Sequence, residues 1–228
     1  MAEIKQEVYV WELPVRIYHW INAICMTILF VTGLYIHSPV TFGLSSEAFY
    51  QHTMSTFRWI HFSAAYIFTA NFLLRLYWAL FGGNNYAKFS GFRPLRPQWW
   101  LKPFKRQMKA YLFISKREPH FAGHNPVAAI THFLFIFCGS IFMILSGFAM
   151  YSQSNPGGFL DTLFGWMIPL VGSMQTLVGL HQLTAWGFVT YLILHLYAVV
   201  RHDLINRTST TSSIITGYKW EVEELQDK

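Results

Sequence analysis

The chain has 228 residues, of which 53% are hydrophobic and 18% aromatic, while only 12% are charged. Together with a mean hydropathy of +0.30, this composition excludes an ordinary soluble domain. The net charge of +6 does not indicate nucleic acid binding, because the basic residues lie between long apolar segments, where they would flank a membrane. The sequence therefore predicts a small integral membrane protein.

Four apolar stretches are long enough to cross about 30 Å of hydrocarbon as helices. They cover roughly residues 16–37, 56–81, 126–151 and 175–201. The first stretch has no small-residue cleavage site after it, so we interpret it as an uncleaved signal anchor. The predicted fold is all-α, a membrane four-helix bundle that forms a single domain over residues 1–228.

The connections between these stretches differ in their content of lysine and arginine. Residues 38–57 and 152–178 contain none, whereas residues 82–125 contain nine. The positive-inside rule therefore places the basic loop and both termini in the cytoplasm. Within that loop, residues 97–117 alternate aromatic and basic side chains, which predicts a segment lying on the anionic inner leaflet. The alternative is a loosely ordered basic linker.

The last apolar stretch contains two histidines, His181 and His195, fourteen positions apart. On a helix this spacing is close to four turns, so both imidazoles leave the same face, about 21 Å apart along the axis. Ionisable side chains inside a membrane span are costly and are usually functional. One helix therefore offers two metal ligands at two depths.

Histidines in the first two stretches match these two depths once the loop charges set the direction of each helix. His19 and His195 lie near the cytoplasmic face, and His61 and His181 lie near the periplasmic face. Two haem irons, each with both axial positions filled, would suit electron transfer better than oxygen binding. The haem would be b-type, because no C-x-x-C-H motif occurs. A proton relay and a non-haem metal site are the alternatives.

Two further residues lie on the ligand faces of the first two helices. Gly33 follows His19 by fourteen residues, so a porphyrin could approach the helix closely there. Arg75 follows His61 by the same interval, and its guanidinium would either pair with a haem propionate or extend to the membrane interface.

Other residues of the spans have simpler interpretations. Gly179 and Gly187 flank His181 and would admit its ring or serve an ordinary contact between helices. His132, in the third stretch, lacks a partner at its depth, and we interpret it as a packing residue. His124 precedes Asn125 and Pro126, which predict the start of the third helix.

Five segments carry a resemblance to a known family: RIYHW around His19, RWIHFSAAYIF around His61, GHNPVA around His124, HQLTAWGFVTYLILH from His181 to His195, and STTSSIITGYK after the last helix. With them the chain resembles the cytochrome b subunit of membrane-bound nickel-iron uptake hydrogenases over nearly its whole length. More distantly it resembles the cytochrome b subunit of respiratory formate dehydrogenase. The resemblance implies two haem b groups with His19, His61, His181 and His195 as axial iron ligands.

The resemblance also implies partners and a place in a respiratory chain. The chain would be a multi-pass protein of the bacterial inner membrane and an electron-transfer subunit of a hydrogen:quinone oxidoreductase. Electrons would come from the iron-sulfur small subunit of a periplasmic hydrogenase and reduce menaquinone or ubiquinone. The nickel site would belong to the large subunit, because this chain lacks the paired C-x-x-C motifs that it requires.

Quinone reduction needs hydrogen-bond donors and a route for protons near the cytoplasmic face. His124 is the candidate catalytic residue, because an imidazole can orient a quinone carbonyl and pass on a proton. Its alternative role is that of a loop histidine beside a helix cap. Two other functions compete with the hydrogenase assignment, namely the equivalent subunit of another respiratory dehydrogenase and a haem-free transporter or anchor with a histidine proton relay.

Overall fold

A computed structural model describes residues 4–39, 52–88, 97–112, 114–115, 125–206 and 209–223. The described part of the chain is mostly helical, as predicted, and four of its helical stretches are long and apolar enough to cross a membrane. Their bounds are Leu13–His37, Thr53–Phe81, Pro126–Ser152 and Met174–Asn206.

In chain order the elements are β1 (Ile4–Tyr9), α1 (Leu13–His37), α2 (Thr53–Phe81), α3 (Pro97–Tyr111), α4 (Pro126–Thr131), a π-helical segment (His132–Gly139), α5 (Ser140–Ser152), α6 (Phe159–Phe164), α7 (Met167–Val171), α8 (Met174–Asn206), α9 (Thr210–Thr216) and β2 (Tyr218–Glu223). The third candidate span is thus α4, the π-helical segment and α5 in succession. The chain divides into two compact units, one formed by Ile17–Leu76 and one by Met1–Arg16 with Tyr77–Lys228.

The unit Ile17–Leu76 consists of the adjoining parts of α1 and α2. Tyr35 near the end of α1 stacks on Phe57 near the start of α2, with ring centroids 3.9 Å apart. At the other end, the Asn71 side-chain nitrogen donates to the Tyr18 carbonyl at 3.1 Å. Contact positions rise along α2 as they fall along α1, so the two helices run antiparallel.

The larger unit contains a second antiparallel pair, α5 with α8. Its core cluster is built on Ala149, Met167 and Leu177, all buried. Met167 belongs to the short helix α7, which therefore fills the space beside α5 and α8. The start of the third span agrees with the sequence, because the Asn125 side chain accepts from the Ala128 N–H and Pro126 is the first helical residue.

Two short strands, which the sequence did not predict, join the ends of the chain. β1 and β2 pair antiparallel, with Ile4 opposite Glu223 and Tyr9 opposite Tyr218. Next to the sheet, the side-chain nitrogen of Asn84 donates to the Val10 carbonyl at 3.0 Å. Because β1 and β2 share backbone hydrogen bonds, both described ends of the chain lie on the same side of the larger unit.

The basic segment forms a helix rather than a loose linker over Pro97–Tyr111. One face is buried, since Gln107 and Ala110 are fully enclosed, while the basic side chains of the helix from position 102 onward are exposed. Arg201 of α8 donates to the Ala110 carbonyl at 3.0 Å, and its guanidinium lies over the Tyr111 ring. These contacts join α3 to the last part of α8, which ends at Asn206, five residues beyond the predicted end of the apolar stretch.

Candidate functional site

The four histidines predicted as ligands all lie within candidate spans. His19 is the seventh residue of α1 and His61 the ninth of α2, while His181 and His195 are the eighth and twenty-second of α8. All four side chains are half-buried. His19 and His61 belong to the smaller unit, and the two histidines of α8 belong to the larger one. The fifth predicted residue, His124, lies outside the described residues.

The His61 ring is held by two consecutive residues of α1. Its Nδ1 lies 2.8 Å from the Thr32 hydroxyl oxygen, and that hydroxyl also lies 2.6 Å from the Ile28 carbonyl oxygen. Gly33 follows directly, and a Cβ atom at that position would lie only 3.3 Å from His61 Cε1. The absence of a side chain at Gly33 is therefore what lets the imidazole approach α1.

The His181 ring is held in the same way by two consecutive residues of α5. Its Nδ1 lies 2.7 Å from the Ser146 hydroxyl oxygen, which in turn lies 2.6 Å from the Phe142 carbonyl oxygen. A Cβ atom on Gly147 would lie 3.6 Å from His181 Cε1. Each unit thus contains one histidine beside a hydroxyl-glycine pair on the antiparallel neighbouring helix.

His195 is surrounded instead by rings. It stacks on Tyr191 with centroids 5.6 Å apart and an interplanar angle of 17°, and it meets His132 edge-on at 5.4 Å. The His132 Nδ1 donates to the Ala128 carbonyl at 2.6 Å. The expectation that His132 has no histidine at its depth is therefore wrong, although its contacts are those of a packing residue, as expected.

Arg75 lies in the region of α2 that faces the start of α1. Its guanidinium is 5.8 Å from the centroid of the Tyr18 ring, and Tyr18 directly precedes His19. The Arg75 side chain is half-buried rather than fully exposed. A cation is therefore held over the residue next to a predicted ligand.

The glycines beside the histidine rings differ from those that the sequence suggested. Nothing lies within 4 Å of a Cβ built on Gly179, and a Cβ on Gly187 would meet Phe135. Gly33, which was expected to face a porphyrin, contacts the His61 imidazole. Sequence reasoning missed Thr32, Ser146 and Gly147. The signal that would have found them is a hydroxyl residue followed by glycine on a helix next to a histidine helix.

The residues present fit a b-type haem. Imidazole is a haem-iron ligand, and four imidazoles lie half-buried in apolar helices. At His61 and His181 the hydroxyl occupies Nδ1, so the other ring nitrogen can serve an iron. Covalent attachment is not indicated, because neither Cys25 nor Cys138 is part of a C-x-x-C-H motif.

An integral membrane protein with these helices and these histidines belongs to the class of b-type membrane cytochromes. The chain is a member of the prokaryotic cytochrome b561 family, whose model matches residues 10–217. Cytochromes of this type carry haem b. The resemblance in the sequence motifs is thus confirmed, and membership favours a cytochrome over a haem-free transporter.

Several relatives align over most of the chain. A protein of Rhodobacter capsulatus named "Probable Ni/Fe-hydrogenase B-type cytochrome subunit" is 38% identical over 216 residues, which cover 94% of this chain and 82% of the relative. A protein of Cupriavidus necator with the same name is 38% identical over 212 residues, covering 92% and 86%. The "Probable Ni/Fe-hydrogenase 1 B-type cytochrome subunit" of Escherichia coli (strain K12) is 36% identical over 218 residues, covering 92% and 90%.

Proposed function

We propose that this chain is the dihaem cytochrome b anchor that passes electrons from the iron-sulfur small subunit of a periplasmic nickel-iron hydrogenase to the quinone pool of the bacterial inner membrane. The observation that carries the proposal is the set of four half-buried histidines within three apolar helices, two of them four turns apart on α8. The names of the relatives support the hydrogenase as partner.

The proposed ligand pairs are those that the sequence predicts. His61 with His181 forms the site near the periplasmic face, and His19 with His195 forms the site near the cytoplasmic face. Along α8 the two sites are about 21 Å apart, because fourteen residues rise by about 1.5 Å each. The pairing of β1 with β2 agrees with an even number of spans, which the proposed topology requires.

When bound, haem iron takes up and releases one electron at a time. The four imidazoles would hold the two haem groups and leave no iron position open for oxygen. Arg75, held over Tyr18 next to His19, is the cation proposed for a propionate of the cytoplasmic-side group. With haem bound, electrons would enter at the residues His61 and His181 and leave from the residues His19 and His195.

Quinone reduction near the second site also needs protons, and His124 is the proposed donor. Its neighbour Asn125 donates to the Tyr111 hydroxyl at 2.9 Å, which connects the start of α4 to the end of α3.

Replacing His124 by Ala should leave both haem spectra unchanged and slow quinone reduction by about 10²-fold or more, as expected for loss of a proton donor. His37→Ala, on the last residue of α1, is the control. Unchanged quinone turnover would remove His124 from the scheme.

The central test uses the chain purified together with whatever subunits accompany it. Hydrogen should reduce two b-type haems per chain, seen in the visible spectrum, and the hydrogenase small subunit should copurify. Reduction by formate instead of hydrogen would support the formate dehydrogenase alternative. A chain without any b-type α band would contradict the proposal and leave the haem-free proton relay.

A further inference from the structure

The same local arrangement of hydroxyl, imidazole and glycine occurs among the described residues of both units. Thr32 with His61 and Ser146 with His181 are separated by 29 and 35 residues in the sequence, and they join different helices. Both residues that carry the hydroxyls are buried, since the exposed fraction is 4% for Thr32 and 0% for Ser146. At such burial, bulk water does not compete for the hydrogen bonds that these hydroxyls make.

Counting protons shows which tautomer of His61 this arrangement selects. The Thr32 hydroxyl has a single hydrogen. Its oxygen, Oγ1, lies 2.6 Å from the Ile28 carbonyl oxygen, which can only accept a hydrogen bond. The hydrogen therefore points to that carbonyl, and a lone pair of Oγ1 faces His61 Nδ1 at 2.8 Å. Nδ1 must supply the hydrogen of this second bond, so the neutral imidazole carries its proton on Nδ1.

The same count applies to His181. The Ser146 hydroxyl donates to the Phe142 carbonyl at 2.6 Å, and its oxygen accepts from His181 Nδ1 at 2.7 Å. In both histidines Nε2 then keeps its lone pair. An imidazole binds iron through the nitrogen that carries no proton, and the bond made by the other nitrogen fixes which one that is.

We infer that Thr32 and Ser146 are positioning residues, which hold His61 and His181 in the Nδ1-protonated tautomer and present Nε2 of each as the iron-binding nitrogen. The inference rests on the proposed function for the identity of the metal. Accepting a hydrogen bond from Nδ1 also makes the imidazole a stronger electron donor, which favours ferric iron. Each hydroxyl would therefore lower the midpoint potential of the haem that its histidine binds, and under the proposed pairing this is the same haem for both.

The glycines complete each arrangement from the side of the ring. Gly33 follows Thr32, and a Cβ atom added to it would lie 3.3 Å from His61 Cε1. Gly147 follows Ser146, and a Cβ atom added to it would lie 3.6 Å from His181 Cε1. An added Cβ on Gly33 would crowd the His61 ring, whereas one on Gly147 would make an ordinary contact with His181. Each hydroxyl residue is thus followed by a glycine that leaves room beside the oriented ring.

The experiment compares variants that keep shape but lose the hydroxyl with variants that keep the hydroxyl. Thr32→Val and Ser146→Ala should each raise the midpoint potential of one and the same haem, whereas Thr32→Ser and Ser146→Thr should retain the wild-type value. Thr27→Val and Thr190→Val are matched controls, because these hydroxyls also bond to a carbonyl four residues earlier. Neither control should shift a potential. Redox titration of the full chain in membranes gives all of these values.

A second measurement does not need haem. The measurement is nuclear magnetic resonance of the haem-depleted full chain with ¹⁵N-labelled histidine. The signals that disappear in His61→Phe and in His181→Phe identify the two imidazoles. In the wild type these signals should be those of the Nδ1-protonated tautomer. Neutral histidine in water prefers the proton on Nε2, so the shift pattern is diagnostic. Thr32→Ala and Ser146→Ala should return the respective histidine to the Nε2-protonated form.

The outcomes separate this inference from the proposed function. Hydroxyl loss without any change in potential, or an Nε2-protonated resonance in the wild type, overturns the inference while two haems and hydrogen-dependent reduction still support the function. Shifts in two different haems would support both positioning roles and contradict the pairing of His61 with His181, which belongs to the proposed function. A wild-type chain that binds no haem overturns both.

Discussion

His61 and His181 are oriented differently from His195. The first two each bring Nδ1 to a buried hydroxyl on the neighbouring antiparallel helix, at 2.8 and 2.7 Å. His195 lies against the faces and edges of rings, with Tyr191 stacked on it and His132 at its edge. A hydrogen bond fixes both the plane of the ring and the position of its proton, whereas ring packing fixes the plane alone.

This difference predicts that the two proposed haems have unlike properties. A hydroxyl that accepts from Nδ1 strengthens an imidazole as a donor to iron, and a stacked aromatic ring does so much less. The site that contains His61 and His181 is therefore expected to have the lower midpoint potential. Electrons that enter there would pass downhill to the site containing His195.

The largest expected effect comes from removing the ligands themselves. His61→Ala and His181→Ala should lose the same haem, and His19→Ala and His195→Ala should lose the other, because each iron loses one of two axial ligands. Haem content per chain and low-temperature spectra measure this. Different spectra within a proposed pair would break both the pairing and the comparison between its two sites.

A smaller effect is expected from filling the space beside the oriented rings. Gly33→Ala places a methyl group 3.3 Å from His61 Cε1, and this overpacking should cost about 1–3 kcal/mol of stability and loosen the hydrogen bond to Thr32. Gly147→Ala adds an ordinary contact at 3.6 Å to His181 and should be milder. Haem retention on heating measures the two variants. Equal effects would show that the glycine does not set the position of the ring.

Changing the rings around His195 should matter less again. Tyr191→Leu removes the stacked partner and should cost about 0.5–1.5 kcal/mol beyond the lost contact area. His132→Phe keeps an edge-on ring beside His195 and serves as the control. We expect a broader low-spin haem signal in electron paramagnetic resonance for Tyr191→Leu, with little change in potential. A potential shift as large as that of Thr32→Val would mean that ring packing and hydrogen bonding act alike.

The smallest effect is expected far from the rings, in the connection after α5. The Gly157 N–H donates to Asp161 Oδ2 at 2.8 Å, and the Ser152 and Gln153 side chains donate to Oδ1. These hydrogen bonds, the one from Gly157 most of all, hold the pKa of the Asp161 carboxyl below its usual range. Asp161→Asn should lower the thermal stability slightly without shifting either haem potential.

The pH dependence of that variant has a definite sign. Because the folded-state pKa of Asp161 is depressed, its stabilisation is complete above the unfolded value of about 3.9 and is lost as the pH falls through the lower folded value. The difference in unfolding temperature between wild type and Asp161→Asn should therefore narrow in acid. A shift in a haem potential would instead show that rigidity of α5, rather than the Ser146 hydroxyl, orients His181.

The sequence predicted the four long helices because an apolar run of this length has few alternatives in a membrane. It also predicted the helix start at Asn125 and Pro126, but not that the basic segment is helical over Pro97–Tyr111. It missed β1 and β2, since two six-residue strands with partners more than 200 residues away leave no local signal. It also missed the π-helical segment His132–Gly139, because the apolar composition of that segment suits an α-helix equally well.

At the candidate site, spacing along one helix was enough to single out His181 and His195. Their surroundings were not accessible in that way, because the contacts of Thr32 and Ser146 depend on which faces of two helices meet. Glycines were assigned to the ring of His181 by proximity in sequence, whereas the glycine that meets it, Gly147, is on another helix. Side-chain contacts between helices are set by packing, which periodicity does not encode.

The strand pair at the ends of the chain has a consequence for biogenesis. Val8 is synthesised before the four long helices, yet its partner Lys219 is made only after the fourth of them is complete. β1 therefore cannot pair until all four long helices have been synthesised. A chain truncated before β2 would carry an unpaired strand.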